Sequence, residues 1–170
     1  PKISIVAPAY NEGLTIKEDI LSLLSIQYNN FDVIVVNDGS KDNSMEVLVK
    51  TYDLVLTELD IHPKIETKKI KGLYTSRNAA FKKLIVVDKE NGGKADALNA
   101  GLNIAQNPYV VCIDVDCILD KDSLLKLAKP FLESSGKRVI ATGGVVRIAN
   151  QCIIKNGRLV EVNVPDVILP

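Results

Sequence analysis

The apolar positions in the first part of the chain alternate between short continuous runs and helical patterns. Lys2–Pro8 is rich in Ile and Val and ends at a proline, which predicts a strand that runs into a turn. The apolar residues between Leu14 and Ile26 follow a helical rather than an alternating spacing, and Asp32–Asn37 predicts a second strand. This succession of strand, helix and strand is typical of a βαβ unit in a mostly parallel sheet.

The same alternation continues along the chain. It predicts further strands at Leu84–Val87, Tyr109–Ile113 and Arg138–Thr142. It also predicts three helices: one that carries Met45, Leu48 and Val49, one from about Lys94 to Ala105, and one over Ser123–Leu132. Ser40 or Asp42 is the predicted N-cap of the first of these helices. The fold class is therefore α/β, with a mostly parallel sheet flanked by helices.

Two segments depart from the parallel pattern. Thr57–Asn78 has mixed charge and no clear period, so we expect a long irregular connection there. Ile153–Val162 places Asn156-Gly157 between apolar runs, which predicts a late antiparallel hairpin.

Composition limits the classes of protein to consider. The length of 170 residues predicts a single domain. Its 21 Lys+Arg and 21 Asp+Glu give zero net charge, so no nucleic-acid partner is indicated. The three cysteines lack CxxC spacing, which argues against a disulfide framework or a zinc site. The apolar runs are far too short to span a bilayer, and Pro1 and Lys2 lead directly into a strand rather than a signal peptide.

Chemically useful side chains follow four of the predicted strands. They are Tyr10, Asn11 and Glu12 after the first strand, Asp38 after the second, Asp88 and Lys94 after the third, and Asp114 and Asp116 after the fourth. Ligands of open α/β sheets bind outside the carboxyl ends of the strands. Ordinary turn or capping roles are sufficient for Asp38 or Asp88 alone. The convergence of several acidic groups on one edge favours a ligand site.

Asp114-Val115-Asp116 is the candidate metal site. Residues two apart in extended backbone project to the same face, so both carboxylates can reach one ligand. Carboxylate oxygens suit Mg²⁺ or Mn²⁺ better than zinc. A cation there would bridge the carboxylates to an anionic ligand, and the Gly92-Gly93 turn, the helix N-terminus it opens and Lys94 would complement that anion.

Other known motifs do not fit. A P-loop would need Gly in place of Asp88 and Ser or Thr in place of Ala95, and no GxGxxG follows the first strand. His62 is the only histidine, and no Ser or Cys partner is recognisable, so a catalytic triad is unsupported and an exposed loop histidine is expected.

Four motifs in register resemble those of inverting family 2 glycosyltransferases, and the likeness covers nearly the whole chain. They are Ala9-Tyr10-Asn11-Glu12, Val36-Asn37-Asp38-Gly39-Ser40, the run from Asn91 to Asn99 and Asp114-Val115-Asp116. The chain is most similar to the membrane-bound polysaccharide synthases that make poly-N-acetylglucosamine, hyaluronan, chitin and cellulose. The segment from Thr142 to Ile148 resembles the strand that follows the DxD motif in those enzymes.

The resemblance implies a nucleotide-diphospho-sugar transferase (GT-A) fold and a set of roles. The nucleotide-sugar-binding residues would be Pro8, Tyr10, Glu12, Asp38, Lys94 and Asp114, and Asp38 would lie at the uracil edge. Asp116, together with Asp114, would bind Mg²⁺ or Mn²⁺. The residues nearer the donor sugar would be Gly143, Gly144 and Arg147. The donor would be a UDP-sugar, UDP-N-acetylglucosamine in particular, and the acceptor a growing polysaccharide or glycan.

The chain departs from the family pattern after the DxD motif. After Asp116 it has neither the Glu-Asp motif that supplies the proton acceptor nor Gln-x-x-Arg-Trp, and the chain contains no Trp. We therefore expect residues 1–170 to be the N-terminal donor-binding part of a longer enzyme, with the catalytic base beyond residue 170. This part is expected to be soluble and unable to transfer sugar. The whole enzyme is expected at the cytoplasmic face of a membrane. A nucleotide-sugar-binding module without catalysis and a nucleotidyltransferase are the alternatives.

Overall fold

The computed structural model describes residues 1–58, 63–133, 138–145, 152–155 and 158–162. Its strands are β1 (Ile3–Ala9), β2 (Phe31–Asp38), β3 (Leu54–Leu56), β4 (Ile70–Ser76), β5 (Leu84–Lys89), β6 (Tyr109–Cys112), β7 (Cys152–Lys155) and β8 (Arg158–Val162). Its helices are α1 (Ile16–Leu24), α2 (Ser44–Tyr52), α3 (Lys94–Ile104) and α4 (Ser123–Glu133), and Ala79–Phe81 forms a 3₁₀ turn.

The main sheet has six strands in the order β3-β4-β5-β2-β1-β6. β1 pairs in parallel with both β2 and β6, and β2 pairs in parallel with β5. The chain thus winds outward from β1 to β2 and β5, then returns to the other side of β1 to form β6. The strand order reverses between β1 and β6, which is where open α/β sheets form a ligand crevice. The α/β class and the mostly parallel sheet are confirmed.

The prediction of an irregular connection over Thr57–Asn78 is wrong. That segment contains β4, which pairs antiparallel with β5 and with the three-residue β3. Of the seven residues of β4 only Leu73 is buried, so the strand has no apolar alternation by which sequence could identify it. The antiparallel part of the fold therefore begins before β5.

The structure places no strand at Arg138–Thr142, so that prediction is also wrong. The hydroxyl of Thr142 donates to the carbonyl of Leu127 on α4 (3.0 Å), so this segment packs on a helix instead of pairing with the sheet. The late hairpin is confirmed, because β7 and β8 form a separate antiparallel pair. Its turn, Asn156-Gly157, lies outside the described residues.

Helices pack on both faces of the main sheet. Apolar residues of α1, α2 and α4 share one core cluster with one face of β1 and β2, and α3 packs on the other face. Gly101 lets α3 approach closely, because a Cβ there would overlap the side chain of Val6. This contact fixes α3 on β1, with its N-terminus at the carboxyl edge of the sheet. Among the described residues, no helix has both the length and the apolar character to cross a bilayer.

Candidate functional site

The loops that follow β1 and β2 are joined by hydrogen bonds between side chain and backbone. The amide of Asn11 donates to the hydroxyl of Ser40 (2.9 Å), and the amide of Lys41 donates to the side-chain oxygen of Asn11 (2.8 Å). Asn11 lies in the left-handed region at φ 57°, which asparagine tolerates better than most residues. Ser40 therefore joins the two loops and is not the N-cap of α2, a position that Asn43 occupies.

The second half of the β1 loop is held by the start of α2. The amide of Glu12 donates to the hydroxyl of Ser44 (3.0 Å), and the amide of Gly13 donates to the carboxylate of Asp42 (2.8 Å). Asp42 also accepts from the amide of Ser44 (3.0 Å), so it orders the helix start without being its N-cap. These contacts fix the backbone of Glu12 at the crevice between β1 and β6.

The DxD motif lies in a turn beyond the end of β6. The amide of Cys117 donates to the carbonyl of Asp114 (3.0 Å), and Val115 is 2% exposed, so its burial anchors the turn. Asp114 and Asp116 are exposed, and their carboxylates and the thiol of Cys117 place one ligand atom each within 4.8 Å of the others. The two carboxylates are thus close together, but a turn rather than strand alternation brings them there.

Negative charge from different strand exits meets at this point. Burial raises the pKa of Glu12, and the charges of Asp116 and Asp19 raise it further. The pKa of Asp19 on α1 is also raised, first by burial and also by Asp116. The carboxyl groups that follow β1 and β6 are therefore close enough to repel one another, as expected for a site that holds a cation.

Lys94 brings a positive charge to the same place. It is the first residue of α3, and its ammonium forms an ion pair with Asp114 that raises the pKa of Lys94. Both side chains are largely exposed, so the pair is open to exchange of partners.

Asp38 is turned into the protein. Its carboxylate side chain is 4% exposed and forms an ion pair with Lys89 (2.6 Å). It also accepts from the amides of Gly92 (3.0 Å) and Gly93 (2.8 Å) and from the side-chain amide of Asn91 (3.2 Å). The glycine amides that the sequence suggested for a bound anion therefore already have a protein carboxylate as their acceptor.

The remaining expected site residues are placed as follows. Tyr10, 43% exposed, follows β1, and Pro8 lies within that strand and is partly buried. Gly143 and Gly144 are exposed, and a Cβ added to either would meet no atom of the described residues within 4 Å. Arg147 and His62 lie outside the described residues.

Sequence reasoning missed Lys89, Asp96 and Cys117. Lys89 and Asp96 are paired with each other (2.5 Å), and Cys117 completes the group of three ligand atoms around the DxD turn. The available signal was a lysine two positions after the apolar run of β5, because lysine is almost never fully buried without a partner.

The donor set at the DxD turn fits a hard divalent cation. Two exposed carboxylates lie together, and a third carboxyl group, that of Glu12, is close enough for the charge of Asp116 to raise its pKa. Mg²⁺ and Mn²⁺ prefer such oxygen ligands and are commonly held by one or two carboxylates together with phosphate oxygens of a ligand.

Comparison with known proteins gives matches over most of the chain. The family described as "Glycosyl transferase family 2" matches residues 4–84 and 81–151. The poly-beta-1,6-N-acetyl-D-glucosamine synthase of Staphylococcus epidermidis is 32% identical over 153 residues, which cover 89% of this chain and 30% of the relative. The enzyme of the same name from Staphylococcus aureus is 31% identical with the same coverage. The chain thus spans about 30% of the length of the curated relatives it matches.

Two solved structures share the fold. S. aureus TarS 1-349 in complex with UDP-GlcNAc has a TM-score of 0.56 at 24% identity, covering 78% of this chain and 32% of that one. The mannosyltransferase PcManGT from Pyrobaculum calidifontis, in complex with GDP-Man and Mn²⁺, has a TM-score of 0.60 at 23% identity, covering 78% of this chain and 33% of that one. The GT-A fold expected from sequence is confirmed.

Proposed function

Because the chain belongs to glycosyl transferase family 2, we propose that it forms the donor-binding part of an enzyme that transfers a sugar from a UDP-sugar. One observation carries the proposal. The exits of β1 and β6, at the point where the strand order reverses, bring Glu12, Asp114 and Asp116 together with the Lys94 ammonium. A site with clustered carboxylates and an adjacent cation suits a diphosphate accompanied by a divalent metal.

Each residue has a part in this proposal. Asp114 and Asp116 would hold Mg²⁺ or Mn²⁺, and that ion would supply positive charge to stabilise the departing diphosphate. Lys94 leaves Asp114 to contact that diphosphate as a point charge. Tyr10, Pro8 and Glu12 line the nucleoside side, where the partly exposed ring of Tyr10 offers an apolar surface to the base. The uracil contact expected of Asp38 stays a prediction.

The donor is proposed to be UDP-N-acetylglucosamine and the acceptor a growing glycan. The relatives are named as synthases of an N-acetylglucosamine polymer, and one structure with this fold is a complex with UDP-GlcNAc. Transfer with inversion, in a longer enzyme at the cytoplasmic face of a membrane, is the matching proposal for the whole protein.

Calorimetry with UDP, with and without Mn²⁺, tests the proposal. We expect binding that requires the metal and that Asp116→Ala abolishes, because the variant removes a metal ligand from an exposed turn without opening the core. Asp120→Ala is the matched control, since it removes an exposed carboxylate four residues further on and should bind UDP like the parent chain. Metal-independent binding, or equal affinity in both variants, would contradict the proposal. Competition by UDP-glucose against UDP-N-acetylglucosamine then tests the sugar.

A further inference from the structure

Lys89, the last residue of β5, is a buried cation between two carboxylates. Its side chain is 0% exposed, and its ammonium contacts Asp38 (2.6 Å), Asp96 (2.5 Å) and the carbonyl of Glu90 (2.6 Å). These three acceptors match the three protons of the ammonium group. Burial on its own lowers the pKa of Lys89, but the two carboxylates outweigh burial and hold that pKa above its usual value.

The two carboxylates that pair with Lys89, those of Asp38 and Asp96, also accept hydrogen bonds from the backbone of other segments. Asp38, at the end of β2, accepts from the amides of Gly92 and Gly93. Asp96, in the first turn of α3, accepts from the amide of Lys68 just before β4 (3.0 Å). Lys89 therefore lies at the centre of a cluster that joins β2, the segment before β4 and the start of α3.

The turn before α3 is positioned through this cluster. Residues 90–93 connect Lys89 to Lys94, and their glycine amides depend on the Asp38 carboxylate for their acceptor. Without the Lys89 charge, two carboxylates would face each other in a largely buried space, where a missing partner is costly. Relief of that repulsion would move the Asp38 side chain, and with it the turn and the Lys94 side chain that reaches Asp114.

We propose that Lys89 is a positioning residue of the donor site, which fixes the turn at residues 90–93 and the start of α3 through Asp38 and Asp96 before the donor arrives. This inference rests on the proposed function in one respect, that Lys94 meets the diphosphate. Lys89 itself is buried and does not reach the ligand. Its action is to hold a preformed backbone, which reduces the ordering that binding would otherwise require.

The test compares Lys89→Met with Lys71→Met in the 170-residue chain. Methionine keeps the length of the lysine side chain without its charge, and Lys71 is a half-exposed lysine on the neighbouring strand β4. We expect Lys89→Met to speed hydrogen exchange at the amides of Gly92 and Gly93 at least tenfold in ligand-free protein. The amides of β1 should keep their protection, and Lys71→Met should resemble the parent.

Binding measurements then connect the turn to the donor. We expect Lys89→Met to weaken UDP binding about tenfold in the presence of Mn²⁺ without weakening the binding of Mn²⁺ alone, because the DxD turn belongs to a different loop and a displaced Lys94 would release Asp114. Unchanged exchange at Gly92 and Gly93, or unchanged UDP affinity, would overturn the inference. The exchange experiment needs no ligand, so failure of the parent chain to bind UDP would count against the proposed function alone.

A second variant covers the case in which Lys89→Met loses protection throughout the sheet. Asp96→Asn keeps Lys89 and Asp38 but removes one of the two charges that hold the ammonium. Faster exchange at Gly92 and Gly93 in this variant, with normal protection of β1, would support the inference. Exchange equal to that of the parent would overturn it.

Discussion

Lys94 has two possible partners within the site, a carboxylate of the protein and an anion of the ligand. Its ion pair with Asp114 occupies a carboxylate that the proposed metal site would also use, so the ammonium and a bound metal would compete for that carboxylate. A ligand diphosphate would resolve this competition, because it offers the ammonium a second anion. Lys94 is therefore expected to oppose binding of the metal alone and to favour binding of the nucleotide.

The variant Lys94→Ala should separate these two effects. Removal of the ammonium leaves Asp114 free, so Mn²⁺ alone should bind severalfold more tightly. UDP in the presence of Mn²⁺ should bind about tenfold more weakly, since a charge-assisted contact to the diphosphate is lost. Calorimetric titrations with each ligand measure both effects.

Lys82→Ala is the control for Lys94→Ala, because it removes an exposed lysine that follows the 3₁₀ turn. It should leave both affinities unchanged. If Lys94→Ala weakened Mn²⁺ binding and UDP binding together, competition for Asp114 would not be the role of the lysine.

At this scale, residue types at the strand exits were predictable but their orientation was not. Sequence placed Asp38 at the carboxyl edge, yet its direction depends on Lys89, which lies 51 positions away and was not recognised as its partner. Glu12 and Asp116 were expected near one another because their strands were predicted to share an edge, and the charge effect on Glu12 agrees with that expectation.

Gly39 directly follows β2, lies against the turn before α3 and has two independent reasons to be glycine. Its φ is 66°, in the left-handed region, and a Cβ would lie 2.6 Å from the backbone nitrogen of Asn91. Gly93 also has a positive φ, 87°, but a Cβ there would meet no atom within 4 Å among the described residues. A side chain at Gly93 would therefore meet only backbone strain, whereas a side chain at Gly39 would meet both backbone strain and steric overlap.

We expect Gly39→Ala to destabilise the chain more than Gly93→Ala does. Positive-φ backbone costs a residue with a Cβ roughly 1–3 kcal/mol at either position, and at Gly39 the turn that contains Asn91 must also move. Urea unfolding of the two variants measures the difference. Equal losses of stability in the two variants would contradict the steric part of this argument.

The elements that sequence predicted correctly are those with a strong apolar signal. β1, β2 and β5 are nearly continuous runs of buried residues, and their parallel order follows from the helices between them. β4 is an antiparallel strand with one buried residue, so its sequence resembles a polar connection. Arg138–Thr142 shows the opposite error, since its short apolar composition suited a strand but its described contact is with α4.

For the molecule as a whole, zero net charge conceals an uneven distribution. The 21 basic and 21 acidic residues balance, yet Glu12, Asp19 and Asp116 raise the charge density at the crevice between β1 and β6. An acid whose pKa is raised in the folded state binds more protons when folded than when unfolded. Its contribution to stability therefore falls as pH rises from the unfolded pKa of Glu12 through its higher folded pKa.

The metal-free chain at pH 7 should consequently gain stability from Asp116→Asn. Loss of one exposed charge should relieve the repulsion on Glu12 and Asp19 and raise the melting temperature by about 1 °C, and the gain should shrink as the pH is lowered and Glu12 and Asp19 take up protons. Mn²⁺ at a hundredfold excess over its Kd should stabilise the parent by about 2.7 kcal/mol and the variant far less. Differential scanning calorimetry with and without Mn²⁺ measures each effect, and Asp120→Asn controls for the general loss of a charge. A lower melting temperature of metal-free Asp116→Asn at pH 7, or equal stabilisation of both proteins by Mn²⁺, would show that this edge is not arranged around a cation.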